Sequence, residues 1–281
     1  MEGEGMTLEA HHNYEYSVDT EAQTAPAKVV RMVGENKKVL EIGAGPGSIT
    51  KMLKFHNHCE VIAIEIDPTA IDKLREFCDE IYQCNLNEAS WEKTLERSGK
   101  FDVIVGADVL EHLYTPHNTL VSMRNLIADN GYIVISLPHV GNNAVVASIL
   151  NADFEYHNFG LLDKTHIRFF GIKNMQNLFE NAGYRIVAAE FVTKSPGYTE
   201  LAFHWKSLPL SVRSALGYNP FGDVYQVVIK AVPSASPSEG IQLIDLLVPK
   251  YRHGIKNILK DWLRPYLSPE LRKSVKRFLN K

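Results

Sequence analysis

Val39-Leu40-Glu41-Ile42-Gly43-Ala44-Gly45-Pro46-Gly47 is the stretch on which the reading of the chain turns. Val39, Leu40 and Ile42 form a short apolar run stopped by glycine, the pattern of a buried strand over residues 37–43. A helix is expected from Ser48 to Phe55. Strand, glycine turn and helix together bring backbone N–H groups close to a ligand. Glycine loops are common, so the spacing must say which ligand. A dinucleotide fingerprint needs G-x-G-x-x-G. Here the order is Gly43-x-Gly45-x-Gly47, and Ser48 stands where the third glycine belongs. Pro46 lacks an N–H and stiffens the turn, a poor cradle for a pyrophosphate. The loop suits a ligand without phosphates, which weighs against a nicotinamide-dependent oxidoreductase.

Strand and helix alternate downstream of this loop. Residues 59–66 (CEVIAIEI) read as the second strand, 68–77 as a helix with Pro68 in its first turn, and 81–86 as a short third strand. FDVIVGA, 101–107, is apolar enough for the centre of a sheet. A helix over 119–128 closed by Asn130-Gly131, a fifth strand over 132–137, a helix over 174–181, and strands over 185–192 and 224–232 complete the series. This spacing predicts a doubly wound, seven-stranded, mostly parallel α/β sheet. Residues 139–171 and 193–222 interrupt the rhythm. Long connections of this kind are lids or binding loops, and both leave the carboxyl side of late strands, where such sheets bind ligands. Residues 1–36 read as a helical covering segment with a helix over 21–32, residues 37–232 as the main domain, the Pro/Ser-rich 233–240 as a linker, and 241–281 as a helical extension.

The 281 residues carry a net charge of −3, which hides an asymmetry. From Lys250 to Lys281 there are ten Lys and Arg against Asp261 and Glu270, leaving 20 basic and 31 acidic residues elsewhere. An acidic body with a basic tail argues against a broad nucleic-acid footprint. Cys59, Cys78 and Cys84 form no C-x-x-C pair, so neither a disulfide framework nor a zinc–cysteine site is expected, and a reducing cytoplasm fits. No secretory signal and no stretch of about 18 apolar residues is read in the sequence.

The remaining polar strand ends complete a ligand site. Glu65, 22 residues after Gly43, ends the second strand, where a carboxylate can accept hydrogen bonds from both hydroxyls of a ribose. Asn85 and Leu86 follow the third strand, placed to meet an adenine edge and face; Ala107, Asp108 and Val109 follow the fourth. In this order and at these intervals the motifs resemble those of the class I S-adenosylmethionine-dependent methyltransferases, over residues 37 to about 232. VLEIGAGPG looks like the first motif, AIEID the second, and FDVIVGADVLEHL the fourth-strand motif. The resemblance implies S-adenosylmethionine as cofactor, with Glu41 near the methionine group, Gly43, Ala44, Gly45 and Gly47 in contact with the ligand, Glu65 and Ile66 at the ribose, Asn85 and Leu86 at the adenine, and Asp108 and Val109 beside the methionine moiety. Many members have Asp where this chain has Asn85. In relatives an N-terminal segment folds over the cofactor, so Tyr14 or Tyr16 would close the site.

Methyl transfer from a sulfonium is an in-line displacement, and a hydroxyl acceptor must also lose a proton. Histidine is the natural base near neutral pH, and His166 and His139 are the candidates. LDKTHIRFF, residues 162–170, looks like a segment of a methyltransferase subgroup associated with polysaccharide and lipopolysaccharide biosynthesis. That likeness implies O-methylation of a sugar or glycan hydroxyl, with Arg168 free to bind an acidic sugar or a phosphate. A second reading uses a divalent metal. Asp108-x-x-Glu111-His112 with a later His166 is similar to the metal-binding acid-x-x-Glu-His arrangement of ubiquinone-pathway and small-RNA 2′-O-methyltransferases, whose first acid is Glu. A non-catalytic cofactor-binding subunit is the alternative outside enzymes. In the tail, Ile255, Ile258, Leu259 and Trp262, then Leu271, Val275, Phe278 and Leu279, recur at helical spacing among basic residues. Such a face either packs on protein or lies on an anionic membrane surface, which would suit a lipid-linked saccharide.

Overall fold

The computed structural model describes residues 15–249; Tyr14 and the basic stretch from Lys250 onward lie outside them. Seven strands form one sheet: β1 (Lys38–Ile42), β2 (Glu60–Glu65), β3 (Glu80–Gln83), β4 (Phe101–Ala107), β5 (Ile127–Pro138), β6 (Tyr184–Thr193) and β7 (Val224–Pro233). Their spatial order is β3-β2-β1-β4-β5-β7-β6. The first five are parallel, and β7 runs antiparallel to both β5 and β6. The order reverses between β1 and β4, and the carboxyl ends of these strands open the crevice where doubly wound sheets bind ligands.

Helices α1 (Ala25–Val33), α2 (Ser48–Phe55), α3 (Pro68–Leu74), α4 (Pro116–Arg124), α5 (Asn143–Leu150), α6 (Ile172–Asn181), α7 (Ala202–Ser207) and α8 (Leu210–Leu216) surround the sheet. The core divides accordingly. On one face Val29, Val30 and Val33 of α1 and Ile49 and Leu53 of α2 pack on Val39, Val61, Val103 and Val105. On the other, Leu120 and Met123 of α4 and Met175 and Phe179 of α6 pack on Leu40, Ile104 and Ile135. Successive strand residues point to opposite faces, so a strand buried on both faces must be apolar throughout. None of the described helices is long and apolar enough to cross a membrane.

Several boundaries differ from the expectation. Helix α1 starts at Ala25 rather than Glu21 because Pro26 occupies its first turn. Helix α4 stops at Arg124, and β5 begins at Ile127, so Asn130 and Gly131 lie within the strand. The register slips there, from Phe101↔Ile127 to Val103↔Tyr132. A Cβ on Gly131 would sit 2.9 Å from the Phe101 carbonyl oxygen, so only glycine lets this strand lie against β4. The two interrupting stretches are partly helical. Asn142 caps α5, its side chain accepting from Ala144 N–H, in a segment whose mostly apolar sequence shows no clear helical period. The 233–240 stretch is tied down by Arg185, which donates to the carbonyls of Ser234, Ser236 and Ser238. Beyond it Ile241 N–H donates to Ile186 O and Leu243 is fully buried, so residues 241–248 lie on the body.

Candidate active site

A cavity of about 990 Å³ opens at the carboxyl ends of β1, β2 and β4, within the range of small-molecule sites. One half is built by the glycine loop. Gly43, Gly45 and Gly47 have φ of +62°, +56° and +91°, a region L-residues with a side chain rarely enter. A Cβ on Gly43 would lie 2.8 Å from Val109 Cγ2, so glycine there also allows the loop to close on the end of β4. Gly47 opens α2 and does not line the cavity; a Cβ there would meet the Phe77 ring at 2.8 Å.

Glu65 fastens this loop to β2. One carboxylate oxygen accepts Gly45 N–H at 2.7 Å, and the other accepts Ile66 N–H and Asp67 N–H at 2.7 and 2.9 Å. Glu41 is buried beneath, accepting the Thr50 hydroxyl at 2.7 Å. Burial pushes its carboxyl up to about 8; the Thr50 hydrogen bond opposes this, and the Glu65 charge adds to it. Ala44, Ile66, Asn85, Leu86, Asp108 and Val109 also line the cavity. Asn85 Oδ1 accepts Asn87 N–H and so fixes the turn after β3. Asp108 has φ +54° and is held by Ser136 Oγ and the Gln226 amide; burial raises its pKa against these hydrogen bonds. Tyr16, whose N–H donates to Ser48 Oγ, lines the cavity on the N-terminal side.

The other half collects residues far apart in sequence. The short turn Leu110–His112 follows β4 and places Glu111 and His112 at the floor. The Ile167 and Arg168 N–H groups both donate to Glu111 O, which brings His166 alongside. Glu111 is fully buried, and among the described residues neither of its carboxylate oxygens has a hydrogen-bond partner. Burial holds its carboxyl well above the usual range, and the charges of Asp108 and Asp163 add to this. His166 Nε2 lies 3.9 Å from Glu111 Oε1, and the His112 and His166 rings stand 4.9 Å apart. His166 Nδ1 meets Leu161 O at 3.3 Å and His112 Nδ1 meets Thr165 O at 3.1 Å. A carbonyl only accepts, so each Nδ1 carries a proton, and Nε2 offers a lone pair whenever the ring is neutral. Burial, then the His112 charge, lowers the His166 pKa.

The expected bases thus part company. His166 lines the cavity, whereas His139 does not. His139 is buried where β5 leaves the sheet, its ring against Gly141 and its backbone N–H bonded to Tyr225 O. Burial drives its pKa down to about 4. Three of the four suggested metal ligands meet: donor atoms of Glu111, His112 and His166 lie within 4.8 Å of one another. Asp108 is not in that group, its carboxylate being taken by Ser136 and Gln226. Arg168 is exposed, donates to Tyr114 O and does not line the cavity. Tyr225 and Gln226 of β7, and Phe159 and Leu161 of the first long insertion, line it without any local motif to announce them.

The model of a family described as "Methyltransferase domain" matches residues 12–189. An uncharacterized methyltransferase of Schizosaccharomyces pombe is 27% identical over 120 residues, 40% of this chain and 43% of that protein. A ubiquinone biosynthesis O-methyltransferase of Shewanella pealeana is 25% identical over 179 residues, 62% of this chain and 74% of that protein. The chain therefore spans less than half of the first relative and about three quarters of the second. A solved structure from Bacillus halodurans shares the fold, with a TM-score of 0.53 at 15% identity, covering 75% of this chain and 99% of that one. By its family match, with its sheet order and glycine loop in agreement, the chain belongs to the class I S-adenosylmethionine-dependent methyltransferases.

Proposed function

We propose that the chain transfers a methyl group from S-adenosylmethionine to a hydroxyl, and that a sugar or glycan intermediate carries that hydroxyl. The observation that supports the O-methylation is His166 Nε2 beside the buried carboxyl of Glu111, unpartnered among the described residues, in the cavity the glycine loop also lines. The cofactor supplies an activated methyl and a thioether leaving group. The residues of the glycine-loop half fit it: Glu65 keeps one lone pair, on the oxygen that takes Gly45 N–H, for a ribose hydroxyl, and Glu41 offers a carboxyl to an ammonium group. His166 accepts the hydroxyl proton at Nε2, 3.9 Å from the buried Glu111 carboxyl, whose ionisation the imidazolium would favour. The sugar acceptor rests on the likeness of residues 162–170 to the polysaccharide-associated subgroup. Because Arg168 does not line the cavity, an anionic group on that sugar would have to be met elsewhere. Calorimetric titration with S-adenosylhomocysteine, then turnover across nucleotide sugars and glycans by wild type, H166A and E111Q, tests the reading. Turnover lost in both variants with donor affinity kept is the expected result. Full turnover in H166A would overturn it.

A second reading has its own support. Glu111, His112 and His166 offer one oxygen and two imidazole nitrogens, a donor set suited to a divalent transition metal. The Nδ1 bonds to backbone carbonyls orient both rings as metal-bound histidines are oriented. A cation there would lower a hydroxyl pKa, and the Shewanella pealeana relative points to a quinone precursor or another small molecule as acceptor. Loss of turnover on chelation and its return with added metal would favour this reading; indifference to chelators favours the histidine base.

A further inference from the structure

Glu200 lies in the second long insertion, outside the cavity lining, and its carboxylate is 4% exposed. Its Oε1 accepts Leu161 N–H at 2.6 Å, and its Oε2 accepts the Tyr225 hydroxyl at 2.9 Å. Lys194 supplies the compensating charge 3.8 Å away and stacks over the Tyr225 ring. Gly160, at φ +92°, leaves room for this carboxylate, since a Cβ would lie 2.2 Å from Glu200 Oε1. The same Leu161 whose N–H is held here presents its carbonyl to His166 Nδ1. A carboxylate withdrawn from water is retained at a cost unless it is fully satisfied. This one is satisfied by two groups that both line the half of the cavity holding Glu111 and His166, the acceptor half of the proposed reaction.

We propose that Glu200 is a positioning residue: it ties the second insertion to the 160–166 turn and, through the Leu161 backbone, fixes the tautomer and aim of His166. Held in this way, the Leu161 carbonyl keeps the proton on Nδ1 and the Nε2 lone pair on the acceptor side. The Tyr225 proton is committed to Glu200, so toward a ligand the Tyr225 oxygen acts as an acceptor. This inference rests on the reading that His166 serves the acceptor hydroxyl.

The test reads His166 without needing the acceptor. Full-length protein labelled with 15N-histidine and saturated with S-adenosylhomocysteine gives long-range 1H–15N spectra, with His166 assigned through H166A. Wild type is expected to show the Nδ1–H tautomer and E200A a mixture of tautomers, with S-adenosylhomocysteine affinity within roughly twofold. E200Q should restore the wild-type pattern, because its amide oxygen can take Leu161 N–H while its NH2 donates to the Tyr225 oxygen. G160A should reproduce E200A, and it decides the matter if E200A does not fold. Once an acceptor is in hand, kcat should fall roughly 10- to 100-fold in E200A and G160A with the KM for donor unchanged. An unchanged His166 tautomer in both variants, or donor affinity falling in step with kcat, overturns the proposal. Full activity in H166A would instead strike the assigned base, with the tautomer spectra still reporting on Glu200.

Discussion

The two halves of the cavity are built on opposite plans. In the glycine-loop half every described carboxylate is engaged: Glu65 takes three backbone N–H groups, and Glu41 takes the Thr50 hydroxyl. Gly45, Ile66 and Asp67 sit just past the ends of adjacent strands and Thr50 in the helix between them, so the half is assembled by one βαβ unit. In the acceptor half Glu111 is fully buried and, among the described residues, both its oxygens are unpartnered, next to the imidazoles of His112 and His166. A buried polar group left unmatched costs about 1–3 kcal/mol or more, and such costs concentrate at functional sites. One half is a finished binding surface; the other is poised for a proton or a cation.

The strongest attempt to break this contrast is E111Q. An amide cannot take up charge, so kcat is expected to fall by about 10²–10⁴ while S-adenosylhomocysteine affinity stays within a few-fold. A single-turnover assay beside calorimetry separates the two effects. Donor affinity falling with kcat would mean the halves are not independent.

E65A strikes the other side. It removes the anchor of Gly45 N–H as well as an acceptor for ribose, so donor affinity should weaken by about 1–3 kcal/mol. Calorimetry with S-adenosylhomocysteine reads this directly, and kcat at saturating donor should change less. Gly43→Ala sharpens the same point. Its Cβ would press on Val109 at φ +62°, whereas Gly45→Ala, with nothing within 4 Å, meets only backbone strain of roughly 1–2 kcal/mol. Gly43→Ala should therefore cost the greater donor affinity.

The contrast also explains what could be read from the chain alone. The glycine-loop half is local: strand, turn and acid follow at intervals fixed by the βαβ unit, so Glu41, Gly43, Glu65 and Asp108 were visible as motifs. Their hydrogen bonds were not, since Glu65 reaching back 20 residues to Gly45 N–H depends on the β1–β2 register. The acceptor half depends on chain reversals with no periodic signal. Glu111 and His166 meet only because Ile167 and Arg168 donate to Glu111 O. Tyr225 and Gln226 sit in a strand whose antiparallel placement beside β5 turns them toward the cavity. Glu200 lies in a segment that nothing in the composition distinguishes. His139 was attractive because it follows a strand directly, yet proximity to a strand end does not say which way a ring points.

A smaller effect follows from Glu41. Its pKa of about 8 lies above the 4.5 of a free carboxyl, so the folded protein holds a proton that the unfolded chain has released. That contribution to stability is present below about pH 4.5 and is lost as pH rises through about 8. A cationic amino group of the donor prefers the ionised carboxylate, so donor affinity should rise toward pH 8 and level off above it, by about tenfold per pH unit at most. E41Q should flatten that dependence. A profile unchanged in E41Q would place the ammonium elsewhere.

His139 provides the smallest expected change in activity. Its ring lies outside the cavity lining, and its Nδ1 is buried without a hydrogen-bond partner among the described residues. H139L removes the unmatched Nδ1 together with the ring's hydrogen bond to the Phe170 backbone, at similar bulk, and kcat should stay within about twofold because the ring does not line the cavity. Stability against pH should nevertheless change. The folded-state pKa of about 4 lies below the ordinary 6.5, so wild type binds fewer protons folded than unfolded between these values. The contribution is fully present above about 6.5 and is lost as pH falls toward 4. H139L lacks the titrating group, so its thermal melting point should fall less than that of wild type between pH 6.5 and 4. If activity collapses while the melting curves coincide, His139 belongs with the acceptor half and the division between the two halves is drawn in the wrong place.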